Sequence, residues 1–353
     1  MTQIGKLRLQ CKALEAEAGT LADRIATALM AQPTKRPDLE GELKQLMLLR
    51  VRIRAVVTAF ERLQRADAAA SDAEHRRYFK DVRHRLRLLM RVAAMVEMIN
   101  ARQPVPMYHP RPLLHDLSAQ QVWASDAVFK RLHRMVTPLS QTEDALSHGC
   151  FPDIPMSPML FVEHAHLAYR VALAQRREGP LRFLDVGCGG GIKVLLAAEV
   201  FGLADGLEYD AAYAATAADL LRDFGTGRST AIHGDGLTFD GYGEYDIIYF
   251  YQPMSDKQLL HALEDRILSQ ARPGTILIAP YQMFLERSDR LACGRIGGPV
   301  YIAGITQDQA DDLAQEVLHI GPDILNPDRA LDTHDSWLRP LWLACARNGW
   351  LPD

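Results

Sequence analysis

No window of this 353-residue sequence approaches the roughly 20 apolar residues needed to cross a bilayer. The first residues, MTQIGKLRLQCKALEAEAG, also lack the apolar h-region of a secretory signal. A cytoplasmic protein without an integral membrane segment is therefore expected. Cysteine is scarce and scattered: Cys11, Cys150, Cys188, Cys293 and Cys345 stand singly, without C-x-x-C spacing. That pattern excludes a zinc ribbon and a disulfide framework, and leaves reduced thiols. Neither H-E-x-x-H nor G-x-S-x-G occurs, and His164 and His166, two apart on an expected helix, point in different directions. No metal site and no serine hydrolase are expected, and no internal repeat or low-complexity tract is present.

Glycine is almost absent from the first hundred residues, where apolar residues recur at helical spacing. Three a/d seams run through Ile4, Leu7, Cys11, Leu14, Ala18, Leu21 and Ile25; through Leu46, Leu49, Ile53, Val56, Phe60 and Leu63; and through Phe79, Val82, Leu86, Leu89, Ala93 and Val96. The prolines of AQPTKRPDL separate the first helix from the second, and Ser71 with Glu74 fits a capping box opening the third. Residues 1–105 are predicted to form an antiparallel helical bundle that recognises a partner or substrate. Its seams could also close between chains, which makes a homodimer a second use of the same pattern. Up to residue 105 there are 20 Lys and Arg against 12 Asp and Glu, and beyond it 20 against 32, so a +8 module precedes a −12 one. Such asymmetry suits an anionic partner or mutual attraction between the two parts.

Residues 106–175 read as a wrapping connector rich in proline, histidine and methionine, with an amphipathic patch at 122–135 and a helix from about 160. Residues 176–353 form the last expected domain. In it strands and helices alternate: LRFLDV, ADGLEYD, STAIHGD, YDIIYFYQ and TILIAPY read as strands one to five, and GPVYIAG as another. Asp210, Ser255 with Gln258, and Thr306 with Gln309 are expected helix caps, and SWLRPLWLACARNGW a last helix. The strand order after Tyr281 stays open.

Between the first of these strands and a helical pattern, VGCGGGIK places four glycines in five positions. Glycine there permits positive φ and lets a ligand lie on bare amides at a helix N-terminus. The dinucleotide fingerprint G-x-G-x-x-G fails because Ile192 stands at its sixth position, and no G-K-[ST] is present for a P-loop. What stands instead is D-x-G-x-G-x-G from Asp185 to Gly191.

This segment resembles motif I of the class I S-adenosylmethionine (SAM) dependent methyltransferases, and the resemblance covers roughly residues 160–285. It implies an α/β fold, a doubly wound Rossmann-like methyltransferase sheet behind an all-α N-terminal helical domain, with SAM as cofactor. Glu208, ending strand two, stands at the family's acidic position for both ribose hydroxyls. Asp235, after strand three, stands where a carboxylate meets the adenine amino group. Asp185, Gly187, Cys188, Gly189 and Gly191 would pack the methionine moiety, and Tyr209 and Gly236, next to the two acids, complete the expected cofactor-binding set. Carboxylates suit the ammonium and sulfonium of SAM and would repel a pyrophosphate.

Methyl transfer needs in-line approach at ~3 to 3.5 Å, so orientation can supply much of the catalysis without a dedicated base. In an open parallel sheet the chemistry sits at the carboxyl ends of the strands. Tyr251, Gln252 and Pro253, after strand four, are the expected catalytic residues. They depart from the family's [DN]-P-P-[YFW] for nitrogen acceptors, since Gln replaces Asn or Asp, one proline is missing and the aromatic comes first. Pro253 could instead only turn the chain. The acceptor is expected to be a macromolecule, RNA or protein, because Arg76, Arg77, Lys80, Arg83, Arg87 and Arg91 form a basic stripe on residues 76–91 for RNA phosphates or an acidic protein. The alternatives are a small-molecule methyltransferase whose helical domain is a lid or dimerisation element, and a non-catalytic SAM-binding scaffold.

Overall fold

The computed structural model describes residues 2–66, 72–108, 117–138, 140–177, 179–324 and 336–351. The chain divides into two compact units, one of residues 2–105 with 319–324 and 336–351, the other of residues 106–318. The first unit begins with α1 (Gln3–Leu29), α2 (Glu40–Ala66) and α3 (Ala73–Ala101). The second carries α4 (Leu117–Val136), α5 (Glu143–Ser147) and α6 (Pro158–Ala174), then β1 (Leu181–Val186), α7 (Ile192–Phe201), β2 (Gly202–Glu208), α8 (Ala211–Phe224) and β3 (Ser229–His233). It continues with β4 (Ile247–Phe250), α9 (Lys257–Gln270), β5 (Ile276–Ile278), α10 (Gln282–Ser288), β6 (Cys293–Gly297), β7 (Val300–Ala303) and α11 (Gln307–Val317). A last helix, α12 (Arg339–Ala346), returns to the first unit.

In the helical unit the three seams close on one another within the chain: Cys11, Ile25, Leu46, Ile53, Phe60, Phe79, Val82 and Leu89 are all buried. Phe60 and Phe79 stack with centroids 4.0 Å apart, a contact worth about 0.5–1.5 kcal/mol beyond its buried area. Asp72 caps α3 by accepting from His75 N; Ser71, the expected cap, lies outside the described residues. The tail that sequence reading attaches to the sheet domain packs here instead. Leu341, Cys345 and Ala346 of α12, with Leu338 at its N-cap, join the core of α1 to α3, since a helix this short is stable only with its apolar face packed. Asn348 fastens it, donating to Leu29 O at 3.0 Å and Ala344 O at 2.7 Å and accepting from buried Arg36. Among the described residues, no helix is long and apolar enough to cross a membrane.

The second unit is built on a seven-stranded sheet of order β3-β2-β1-β4-β5-β7-β6. Strands β1 to β5 pair in parallel, whereas β7 is antiparallel to both β5 and β6. The first five strands follow the doubly wound Rossmann-like order, with the chain crossing over between β1 and β4. Every residue of β4 is buried, as in a parallel strand covered on both faces. The connector is part of this unit: Arg170 of α6, buried, donates to Pro106 O at 2.6 Å and Val317 O at 2.9 Å. Strand β6 is absent from the sequence reading, since CGRIG has two glycines in five residues; pairing with β7 makes it a strand. Asp210 and the Thr306–Gln309 box cap α8 and α11 as expected. At α9 the cap is Asp256, which accepts from Gln258 N and Leu259 N, while Ser255 Oγ donates to Gly149 O.

Candidate active site

The carboxyl ends of β1 and β4, where the sheet reverses direction, meet at the glycine loop. Gly187 N and Cys188 N both donate to Leu207 O, at 2.8 and 3.2 Å, which folds the loop back over β2. Gly187 and Gly189 adopt φ of +77° and +55°. A Cβ on Gly187 would stand 2.9 Å from Pro253, and one on Gly189 only 2.2 Å from the Asp153 carboxyl, so neither position accepts a side chain. Gly191 is the left-handed N-cap of α7.

These ends open into a cleft. Gly187, Gly189, Glu208, Tyr209, Asp235, Gly236, Tyr251, Gln252 and Pro253 all line it, so residues up to 66 positions apart in sequence share one wall. Asp185, Cys188 and Gly191 do not. Asp185 is fully buried beneath the loop, Cys188 is buried and lines a neighbouring cavity, and Gly191 is spent on the helix terminus.

Glu208 is 7% exposed; its Oε2 accepts from Gly189 N at 2.8 Å and its Oε1 from Asp210 N at 2.9 Å. Burial pushes its pKa up, and the two amides oppose that shift. Asp235 Oδ1 accepts from Leu237 N at 2.8 Å. Burial with no hydrogen-bond partner on either oxygen pushes Asp185 up to about 7, against the pull of Lys193 Nζ at 3.6 Å. Gln252 stands at φ +42°, in the left-handed region, which places its amide and Tyr251 on the rim of the cleft at the cost of backbone strain. Cys150 also lines the cleft, but burial and the nearby Glu208 and Asp235 push its thiol up to about 12, so it is no nucleophile at neutral pH.

Sequence reasoning missed the other wall. The segment following α5 crosses the strand ends as a strap. Cys150 forms an antiparallel bridge with Met254, and Phe151 N donates to Pro253 O at 3.2 Å. His148, Phe151, Asp153 and Ile154 of the strap line the cleft, as does Lys193 from the first turn of α7. The segment's only local signal is its proline and histidine content, which shows an extended course without saying what it covers. Among the described residues no group of His, Cys, Asp and Glu could hold a metal ion.

Among the described residues, three carboxylates, Asp153, Glu208 and Asp235, line the cleft against one lysine, Lys193. A ligand carrying positive charge and hydroxyl or amino donors suits that wall; a diphosphate does not.

No family model and no curated protein matches the chain. Solved structures do. An RNA methyltransferase from Salinibacter ruber with bound S-adenosyl-L-homocysteine is 19% identical over 42% of this chain and 91% of its own, with a TM-score of 0.32. A SAM-bound amino pentose methyltransferase from Micromonospora echinaspora is 25% identical over 42% of this chain and 60% of its own, with a TM-score of 0.30. The magnesium protoporphyrin IX methyltransferase of Synechocystis, with bound SAM, is 17% identical over 55% of this chain and 97% of its own, with a TM-score of 0.33. The doubly wound order of the first five strands is the fold that the resemblance of the glycine loop implies.

Proposed function

We propose that the second unit is a SAM-dependent methyltransferase domain. The observation that carries this reading is the convergence of the glycine loop, Glu208 and Asp235 on one cleft at the crossover of the sheet. The donor set fits the cofactor, because acids predominate on the wall that would meet its hydroxyl, amino and sulfonium groups. When bound, SAM would supply an electrophilic methyl group on a sulfonium. Glu208 would take the ribose hydroxyls, Asp235 the adenine amino group, and the backbone of Gly187 and Gly189 the methionine chain. Tyr251, Gln252 and Pro253 face the acceptor, the Gln252 carbonyl accepting a hydrogen bond from an acceptor nitrogen. Since orientation supplies much of such a transfer, no general base is assigned.

The acceptor we propose is a macromolecule, recognised through the helical unit. Arg76, Arg77, Lys80, Arg83, Arg87 and Arg91 are exposed on α3, opposite buried Phe79, Val82, Leu86 and Leu89. Arg83 meets Glu61 at 3.1 Å, while Arg85, turned inward, pairs with Glu15 at 2.8 Å. An RNA backbone fits such a face, and neutralising these arginines should weaken RNA binding and flatten its dependence on salt.

The deciding experiment is calorimetric titration with SAM and S-adenosylhomocysteine of the wild type, Glu208→Gln and Asp235→Asn. Micromolar affinity, about −8 kcal/mol, that falls in both variants supports the cofactor site. If the wild type binds neither ligand, the methyltransferase reading is wrong.

A further inference from the structure

The cleft also holds two opposite charges to which neither the glycine motif nor the acids at the strand ends give a role. Asp153 comes from the strap. Its Oδ2 accepts from Gly190 N at 2.9 Å and Thr137 Oγ1 at 3.3 Å, and stands 3.0 Å from His133 Nε2. All three contacts fall on Oδ2, leaving Oδ1 for a further donor. The side chain is 7% exposed, yet burial, which would raise its pKa, is outweighed by His133, Lys193 and the Gly190 amide, so the group is held below the ordinary carboxylate range. Lys193 follows the glycine loop directly, with Nζ 3.6 Å from Asp185 Oδ2. Burial opposes its charge, and the acids Asp185 and Asp153 more than restore it.

Two ionised groups this sheltered are a poor source of stability, because desolvation cancels most of their attraction. A carboxylate and an ammonium beside one glycine loop are, however, the complement of an α-amino acid. Each of its charged ends would find the opposite charge already held in place, with no long side chain to order on binding. Both residues also line a second, neighbouring cavity with Phe129, Ile154 and Ile192, one that Tyr251 and Gln252 do not line.

We propose that Asp153 and Lys193 form the receptor for the zwitterionic amino-acid end of the cofactor, Asp153 taking its ammonium and Lys193 its carboxylate. The assignment rests on the methyltransferase reading. It makes the pair a specificity determinant, selecting an adenosyl thioether that carries a free amino acid over one that lacks it.

The test compares S-adenosylhomocysteine with 5′-methylthioadenosine, which has the nucleoside and sulfur but no amino acid, on wild type, Asp153→Asn and Lys193→Met. The wild type should prefer the first ligand. Each variant should lose at least about tenfold in affinity for it and keep its affinity for the second, as expected when a charge-assisted contact is removed. The ratio of the two affinities within one variant is insensitive to the fraction of protein folded. Equal losses for both ligands, or an unchanged ratio, overturn the proposal while leaving the cofactor site standing. A wild type that binds neither ligand overturns the methyltransferase reading, and this assignment with it.

Discussion

The imidazole of His148 lies flat against the ring of Tyr209, with centroids 4.1 Å apart and planes 5° from parallel. The same imidazole brings Nε2 to 3.5 Å from Asp235 Oδ1, so one side chain of the strap joins the two residues that flank the proposed adenosine site. Such a stack contributes about 0.5–1.5 kcal/mol beyond buried area. His148→Ala should therefore weaken S-adenosylhomocysteine binding about threefold to tenfold. His148→Phe keeps a ring over Tyr209 but not the contact to Asp235, and should recover part of the loss. Titration of both variants checks this; unchanged affinity in His148→Ala would remove the strap from the nucleoside site.

Asp185 makes stability depend on pH. Its ordinary pKa is 3.8, and burial raises it to about 7 in the folded chain. Below 3.8 both states hold the proton; above it the unfolded chain releases the proton first, so the folded state loses relative stability until pH passes about 7. Asn at this position cannot ionise. Wild type measured against Asp185→Asn by denaturant unfolding should thus lose stability from about pH 4 to pH 7 and level off above. Glu208 is common to both proteins and cancels. Parallel curves would show that Asp185 does not titrate in this range.

Gln252 combines strain with a place on the cleft rim. Glycine there relieves the left-handed strain but frees the unfolded chain, two effects of about 1 kcal/mol each that nearly offset. Gln252→Gly should keep the wild-type unfolding midpoint within a narrow margin. If the amide holds the acceptor, both Gln252→Gly and Gln252→Ala should lose at least about tenfold in methyl transfer, a change of about 1.4 kcal/mol in the barrier. The readout is incorporation from labelled SAM into cell extract; undiminished incorporation by both variants assigns Gln252 to the turn alone.

Asn348 ties α12 to the helical unit through two donated bonds and one accepted from Arg36. Asn348→Ala leaves Leu29 O and Ala344 O without that buried donor and should cost about 2–4 kcal/mol. Guanidinium unfolding followed by far-UV circular dichroism measures it, and a loss under about 0.5 kcal/mol, the range of surface substitutions, would mean that α12 contributes little to this core.

Whatever repeats or closes locally is legible in the chain itself. The a/d spacing of α1 to α3 specifies helices with one buried face because side chains three and four apart share a face whatever lies opposite. The caps at Asp210 and Thr306 are equally local, since each accepts from amides two or three residues ahead. Glycines between a strand and a helix, with acids ending the next two strands, place Glu208 and Asp235 near one another because parallel strands bring their carboxyl ends to one edge. The remaining features depend on long-range packing. CGRIG is a strand only because β7 offers it a ladder, and α12 joins the helical unit because its apolar face fits a core formed more than 230 residues earlier. Asp153, His148 and Lys193 reach the cleft by the path of the strap and by the start of α7. No spacing rule encodes those contacts: each depends on where a non-repeating segment crosses the sheet, and that is settled by packing over the whole unit.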